Sequence, residues 1–160
     1  MKRIGVDIGK VLAWRDREGR DYIRENYPTF LVMEGAIEVL IKMVKRFGPE
    51  NIFIISTQFP AKQAFAAGIW LERNRILQLT GIPYLNVIIC DKGEEKGLIA
   101  KGLGVTHMID DSPKTLSFFP EGIELIAFDP ILEKMAKYPD VVTRAIVVKS
   151  WAEVAAHFKL

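Results

Sequence analysis

The sequence has a single cysteine and no long run of apolar residues. One cysteine, Cys90, excludes a disulfide within the chain. The absence of a long apolar run argues against a transmembrane helix, and in the first residues, MKRIGVD, Asp7 interrupts what would be the apolar core of a secretory signal. From these absences we expect a soluble, cytoplasmic protein without a membrane partner.

The sequence also lacks a clustered stripe of basic residues. Its 22 Lys and Arg and 20 Asp and Glu side chains are spread along the chain and leave a formal net charge of +2. Proteins that bind a nucleic-acid backbone usually concentrate basic side chains on one face, so we expect no nucleic-acid partner. The chain shows no internal repeat, low-complexity segment or linker. Its 160 residues, 49% of them hydrophobic, suffice for one domain with a sizeable core, and we predict a single domain over residues 1–160.

Short runs rich in β-branched residues alternate along the chain with stretches of helical period. This alternation is typical of a parallel sheet covered by helices. The runs are continuously apolar, as strands buried on both faces are. We therefore predict an α/β fold with a doubly wound, mainly parallel sheet and helices on both faces. Its six strands are predicted over residues 3–6, 52–55, 86–90, 106–109, 123–128 and 145–148.

Apolar residues recur at helical spacing between the predicted strands. This spacing predicts helices over residues 36–47, 61–79 and 94–103 and an amphipathic helix from Trp151 to the C-terminus. Ser112-Pro113 resembles a helix N-cap followed by proline at the first helical position. Two stretches, 13–33 and 130–144, lack this regularity and are predicted to be loops or small excursions over the surface.

Polar side chains follow four of the predicted strands. In an open α/β sheet the ligand lies outside the carboxyl ends of the strands, so these positions are the first candidates for a site. They are Asp7, Ser56-Thr57, Asp91-Lys92 with Lys96 a turn later, and Asp110-Asp111. Two adjacent carboxylates repel each other unless a cation or a hydrogen-bond network accepts them. Together with Asp7, the pair suggests a divalent metal, Mg²⁺, because oxygen ligands suit a hard cation.

The order of these segments resembles the four motifs of the haloacid dehalogenase (HAD) superfamily. VDIGKVL is similar to motif one, IFIISTQ to motif two, Lys96 in EEKGLIAKGLG to motif three and HMIDDSP to motif four. The resemblance covers most of the chain, from Asp7 to the helix at Trp151. Lids in this superfamily are inserted after motif one or between motifs two and three. Residues 13–33 leave room only for a flap and residues 58–85 only for a helix and its turn, so the resemblance implies a capless or minimally capped member.

The resemblance implies a magnesium-dependent phosphatase. Asp7 would attack phosphorus and form an aspartyl phosphate, which water then hydrolyses. Ser56 would donate a hydrogen bond to the phosphoryl group and Lys96 would supply positive charge, with Lys92 as the alternative lysine. The implied metal ligands are Asp7, the carbonyl of Gly9, Asp111 and Asp110, and the implied contacts to substrate are Ser56, Thr57, Lys96 and Lys10.

One position departs from the motif-one pattern. In most phosphatases of this superfamily the residue two after the nucleophile is a second aspartate, which protonates the leaving group and later activates water, and here it is Gly9. Proton transfer of this kind contributes roughly 10²–10⁴-fold in rate. Three explanations stay open. Asp16 or Glu18 substitutes for the missing acid, the leaving group is acidic enough to depart unprotonated, or the protein is a degenerate phosphatase that binds phosphate compounds in a regulatory role with little or no turnover.

Two further similarities point to different substrates. IDDSPKTLSFFP is similar to motif four of capless phosphatases that act on phosphoproteins, and VVKSWAEV is similar to the C-terminal end of small nucleotidases. The expected partner is therefore a small phosphorylated compound or a phosphoprotein, and the oligomeric state stays open. A receiver-type signalling domain combines the same residue types, but its acidic pair comes at the first strand. Cys90 and His107 are predicted to be structural.

Overall fold

The computed structural model describes residues 1–14, 30–58 and 61–160. Within these residues six strands form one sheet: β1 (Ile4–Val6), β2 (Ile52–Thr57), β3 (Val87–Cys90), β4 (His107–Asp110), β5 (Glu124–Phe128) and β6 (Ala145–Val148). Their order is β3-β2-β1-β4-β5-β6, and every neighbouring pair is parallel. The predicted α/β sheet of six strands is confirmed. The strand order reverses direction at β1, which places β1 between β2 and β4.

The central strands are buried on both faces. Every residue of β1 and β4 is buried, as are all residues of β2 except Thr57. Alternate side chains of a strand point to opposite faces of a sheet, so Ile54 belongs to one apolar core and its neighbours Phe53 and Ile55 belong to the other. This two-sided burial explains why the runs are continuously apolar.

Helices cover both faces of the sheet. They are α1 (Ala36–Phe47), α2 (Ala61–Arg73), α3 (Ile76–Thr80), α4 (Gly93–Gly102), α5 (Pro113–Leu116), α6 (Leu132–Met135), α7 (Pro139–Arg144) and α8 (Trp151–Phe158). The first three and α8 contribute to the core that contains Ile54, and α4 to α7 contribute to the core that contains Phe53. None of the helices in the described part of the chain has the length and apolarity that a bilayer crossing requires.

Two local predictions were wrong. The helix predicted over 61–79 is divided into α2 and α3, because Arg75 adopts a left-handed φ of 53° and the side chain of Asn74 donates to the Trp70 carbonyl, 2.9 Å away. The stretch 130–144, predicted to be irregular, holds α6 and α7. These helices have four and six residues, too few for a helical period to show in the sequence.

The predicted flap at 13–33 is described only at its two ends. Ala13 forms isolated β-bridges with Gly9 and Val32, and the Trp14 backbone N–H donates to the carbonyl of Leu31 at 2.8 Å. Asp16 and Glu18, the predicted substitutes for the missing acid, lie outside the described residues. Their role therefore stays a prediction.

Candidate active site

Asp7, directly after the central strand β1, occupies the middle of the sheet's carboxyl edge. Val6 is in register with Ile54 of β2 and Ile109 of β4, so the residues that follow each of them meet at one level. The backbone N–H of Asp7 continues the ladder by donating to the carbonyl of Ile109 at 3.0 Å. The topology thus places Asp7 between the end of β2 and the acidic pair that ends β4.

Lys96 joins two of these carboxylates. Its Nζ donates to Asp7 Oδ1 at 2.6 Å and to Asp110 Oδ2 at 2.7 Å, and its side chain is 2% exposed. Burial alone lowers the pKa of this lysine, but the two carboxylates outweigh burial, and its pKa is raised above the usual value. Lys96 is therefore a permanent ammonium between two acids. Lys92 is exposed at the N-cap of α4, so of the two candidate lysines the structure brings Lys96 to Asp7.

Asp7, Asp110 and Asp111 form an acidic cluster in which one oxygen of each carboxylate lies within 4.8 Å of the others. Burial, opposed by Lys96, raises the pKa of Asp110 to about 6. Burial and the charges of Asp110 and Asp7 raise the pKa of Asp111 to about 7. Both shifts have the same physical origin, since negative charge is concentrated where little water solvates it.

This cluster fits a divalent cation. Lys96 offsets one of the three negative charges, and Lys10 Nζ, 3.5 Å from Asp111 Oδ2, partly offsets a second. The remaining charge and the all-oxygen donor set suit Mg²⁺. The cluster contains the three predicted carboxylate ligands, and Gly9 lies beside it in the lining of the same cavity.

A cavity of about 310 Å³ opens above the cluster. Its lining includes the predicted substrate contacts Ser56, Thr57, Lys96 and Lys10. Ser56 is buried, and its Oγ accepts a hydrogen bond from Gln58 Nε2 at 3.0 Å, which leaves the hydroxyl hydrogen to donate into the cavity. The Thr57 hydroxyl instead lies 3.6 Å from Cys90 Sγ. Ser56 is thus better placed than Thr57 to contact a phosphoryl group.

Gln58 is a site residue that the sequence reasoning missed. It is buried, lines the cavity and hydrogen-bonds Ser56. The only signal for it was its place two residues after Ser56, at the end of IFIISTQ. Successive side chains of a strand alternate between the two faces of the sheet, so Gln58 points to the same side as Ser56. A glutamine at the end of a strand is nevertheless too common to be recognised as a site residue from sequence alone.

Gly9 is not required by the backbone. Among the described residues, a Cβ at this position would come within 4 Å of Asp7 Oδ2 alone, at 3.8 Å, and Gly9 is absent from the described glycines with positive φ. The next residue, Lys10, has a left-handed φ of 59° although it carries a side chain. The backbone and the described neighbours therefore leave room for a Cβ at position 9.

Comparison with known proteins supports this fold. No protein-family model and no curated protein matches the chain. A haloacid dehalogenase-like hydrolase from Burkholderia xenovorans LB400 aligns with a TM-score of 0.54 at 14% identity, over 90% of this chain and 69% of the hydrolase. D,D-heptose 1,7-bisphosphate phosphatase from Burkholderia thailandensis aligns with a TM-score of 0.55 at 13% identity, over 99% of this chain and 98% of the phosphatase. The chain has the haloacid dehalogenase-like fold, as its four motifs predicted.

Proposed function

We propose that this protein is a magnesium-dependent phosphatase of the HAD superfamily that works through an aspartyl phosphate. The observation that carries the proposal is the contact of Lys96 with both Asp7 and Asp110, beside Asp111 and under an open cavity. A buried lysine that holds a carboxylate in the lining of an open cavity is suited to orient a nucleophile. The heptose bisphosphate phosphatase that shares the fold makes phosphoryl transfer the favoured reaction class.

The chain's own residues supply the nucleophile and a hydrogen-bond donor for both steps. Asp7, held through Oδ1 by Lys96, has Oδ2 beside Gly9 and attacks phosphorus as the bond to the leaving group breaks. The leaving group takes the bonding electron pair. Water then attacks the aspartyl phosphate, which releases inorganic phosphate and restores the carboxylate. Ser56 donates its hydroxyl hydrogen to a phosphoryl oxygen in both steps.

Mg²⁺ would be held by Asp7, Asp110 and Asp111 with the Gly9 carbonyl, and it would neutralise charge on the transferring phosphoryl group. Lys96 adds a fixed positive charge next to the nucleophile. Neither contribution requires a side chain at position 9. Glycine at position 9 therefore removes proton transfer by a residue at that position and retains electrostatic stabilisation.

The second candidate function, favoured by Gly9, is a degenerate phosphatase that binds phosphate compounds with little turnover. Phosphate release with Mg²⁺, measured over aryl, acyl, sugar, nucleotide and phosphopeptide substrates, separates the two. We expect turnover that the isosteric substitution Asp7→Asn abolishes and that EDTA removes. Turnover that survives Asp7→Asn would contradict the assignment of the nucleophile. Vanadate binding without turnover of any substrate would favour the binding protein.

A further inference from the structure

A second cavity, of about 830 Å³, lies next to the first at the ends of β5 and β6. Trp14 and Met33 line one part of it and Ile131, Leu132 and Val147 another. Lys10 lines both cavities, so the two share a wall at the acidic cluster. We name this second space the leaving-group cavity. We propose that it holds the aromatic ring of an aryl phosphate, an inference that rests on the proposed phosphatase function.

The lining of the leaving-group cavity favours an uncharged ring. Four of its apolar residues are exposed, Trp14 (51%), Ile131, Leu132 and Val147, whereas Phe128 is buried. Exposed apolar groups around a concave surface mark a binding site, and an indole offers a flat face on which a ring can stack. Among the described residues of the lining, the charges of Lys10 and Lys149 balance those of Asp129 and Glu133. This described part of the lining therefore carries no net charge that would attract a second phosphate.

The same conclusion follows from the missing acid. A phenol has a pKa of about 10, as tyrosine does, so a phenolate departs without being protonated, whereas an alkoxide does so with difficulty. In the proposed step an Asp7 oxygen bonds to phosphorus, the bond from phosphorus to the aryl oxygen breaks, and the phenolate keeps the electron pair until solvent protonates it. Lys10, in the shared wall, supplies positive charge for that oxygen. Its left-handed φ of 59° is the kind of strain that functional positions retain.

Two substrates with good leaving groups distinguish binding of a ring in the leaving-group cavity from the effect of leaving-group acidity. Phenyl phosphate and acetyl phosphate both release an anion that needs no proton, but only phenyl phosphate carries a ring. We expect Trp14→Ala to lower the ratio of kcat/KM for phenyl phosphate to that for acetyl phosphate about tenfold, as the loss of one aromatic contact does. Leu132→Gln, at an exposed position, should lower the ratio too. Tyr84→Ala, which removes an aromatic side chain that is 80% exposed and lines neither cavity, should keep it.

A ratio unchanged in both Trp14→Ala and Leu132→Gln overturns the proposal. A phosphotyrosine peptide shares the aryl phosphate chemistry with a small phenyl ester. Faster turnover of the peptide would identify a phosphoprotein source, and faster turnover of phenyl phosphate would identify a small molecule. A phosphoserine peptide is the alkyl counterpart, and preference for it over the phosphotyrosine peptide contradicts the assignment.

Binding of phenol tests the cavity without turnover. The chain has three tryptophans, and the indole N–H groups of Trp70 and Trp151 are buried and donate to the carbonyls of Phe30 and Val11. In a ¹H–¹⁵N spectrum, phenol should therefore shift the Trp14 indole signal and leave the other two in place. Inorganic phosphate with Mg²⁺ should not shift the Trp14 signal. A Trp14 signal that does not respond to phenol overturns the cavity assignment even if phosphatase activity is found. A shift of the Trp14 signal with phenol, in a protein without phosphatase activity, would support the cavity assignment and contradict the proposed function.

Discussion

Restoring an acid at position 9 is the most direct test of how this site works. Gly9 does not have a positive φ, and among the described residues a Cβ there would meet only Asp7 Oδ2, at an ordinary contact distance of 3.8 Å, so Gly9→Asp needs no strained backbone. The added carboxyl would stand beside the nucleophile, where an acid could protonate a departing oxygen. Its cost is electrostatic, because it adds a fourth carboxyl to a cluster of three. A thermal melt should show that the variant folds.

The size of the effect depends on the leaving group. General acid catalysis contributes roughly 10²–10⁴-fold, so kcat/KM for an alkyl phosphate should rise by at least about tenfold even if the new acid is imperfectly placed. For an aryl phosphate, kcat/KM should change little, because the phenolate leaves without a proton. The ratio of kcat/KM for an aryl phosphate to kcat/KM for an alkyl phosphate should therefore be smaller in Gly9→Asp than in the wild-type protein.

Phosphate release from phenyl phosphate and from an alkyl phosphate, each with Mg²⁺, measures this preference. Gly9→Asn is the matched control, since it has nearly the same size and no proton to give as an acid. If Gly9→Asp and Gly9→Asn change the preference equally, acid catalysis is not the cause. If the wild-type protein already cleaves both esters at equal kcat/KM, another acid such as Asp16 or Glu18 acts in place of residue 9.

Three other predictions concern the same cluster. Lys96→Met should lower the free energy of unfolding by about 3–5 kcal/mol at neutral pH, because it leaves buried carboxylates unpaired; Lys92→Met, at an exposed position, is the control in urea denaturation. The folded protein raises the pKa of Asp110 to about 6 and that of Asp111 to about 7. Both groups therefore add to the free energy of unfolding below about pH 4, and this contribution is lost as the pH rises through these two values. Bound magnesium should offset that loss, so the increase in Tm on adding magnesium should become larger from about pH 5 to 8. The same increase in Tm at every pH in this range would argue against Asp110 and Asp111 as ligands. Ser56→Ala should lower kcat/KM about tenfold or more, and an unchanged rate would remove Ser56 from the mechanism.

The sheet was predictable because its central strands are buried on both faces. Such strands are apolar along most of their length, so the first polar residue after an apolar run marks the carboxyl end of the strand. Asp7 and Ser56 could be recognised in this way, and so could the acidic pair at Asp110. The same logic fails for short helices on the surface, as in 130–144, and for a break inside a predicted helix, as at Arg75. A left-handed φ and one side-chain hydrogen bond decide that ending, and hydrophobic periodicity encodes neither.

The sequence by itself determined the class of fold, the edge of the sheet where the site lies and the absence of an acid two residues after Asp7. Those features are local, because the pattern of neighbouring apolar and polar residues indicates which segments are buried and where strands end. Only the tertiary structure decided that Lys96 meets Asp7 across 89 positions of sequence, that Gln58 supports Ser56, and that a second cavity lies beside Lys10. Such contacts depend on how helices and strand ends pack in space, which no local pattern specifies.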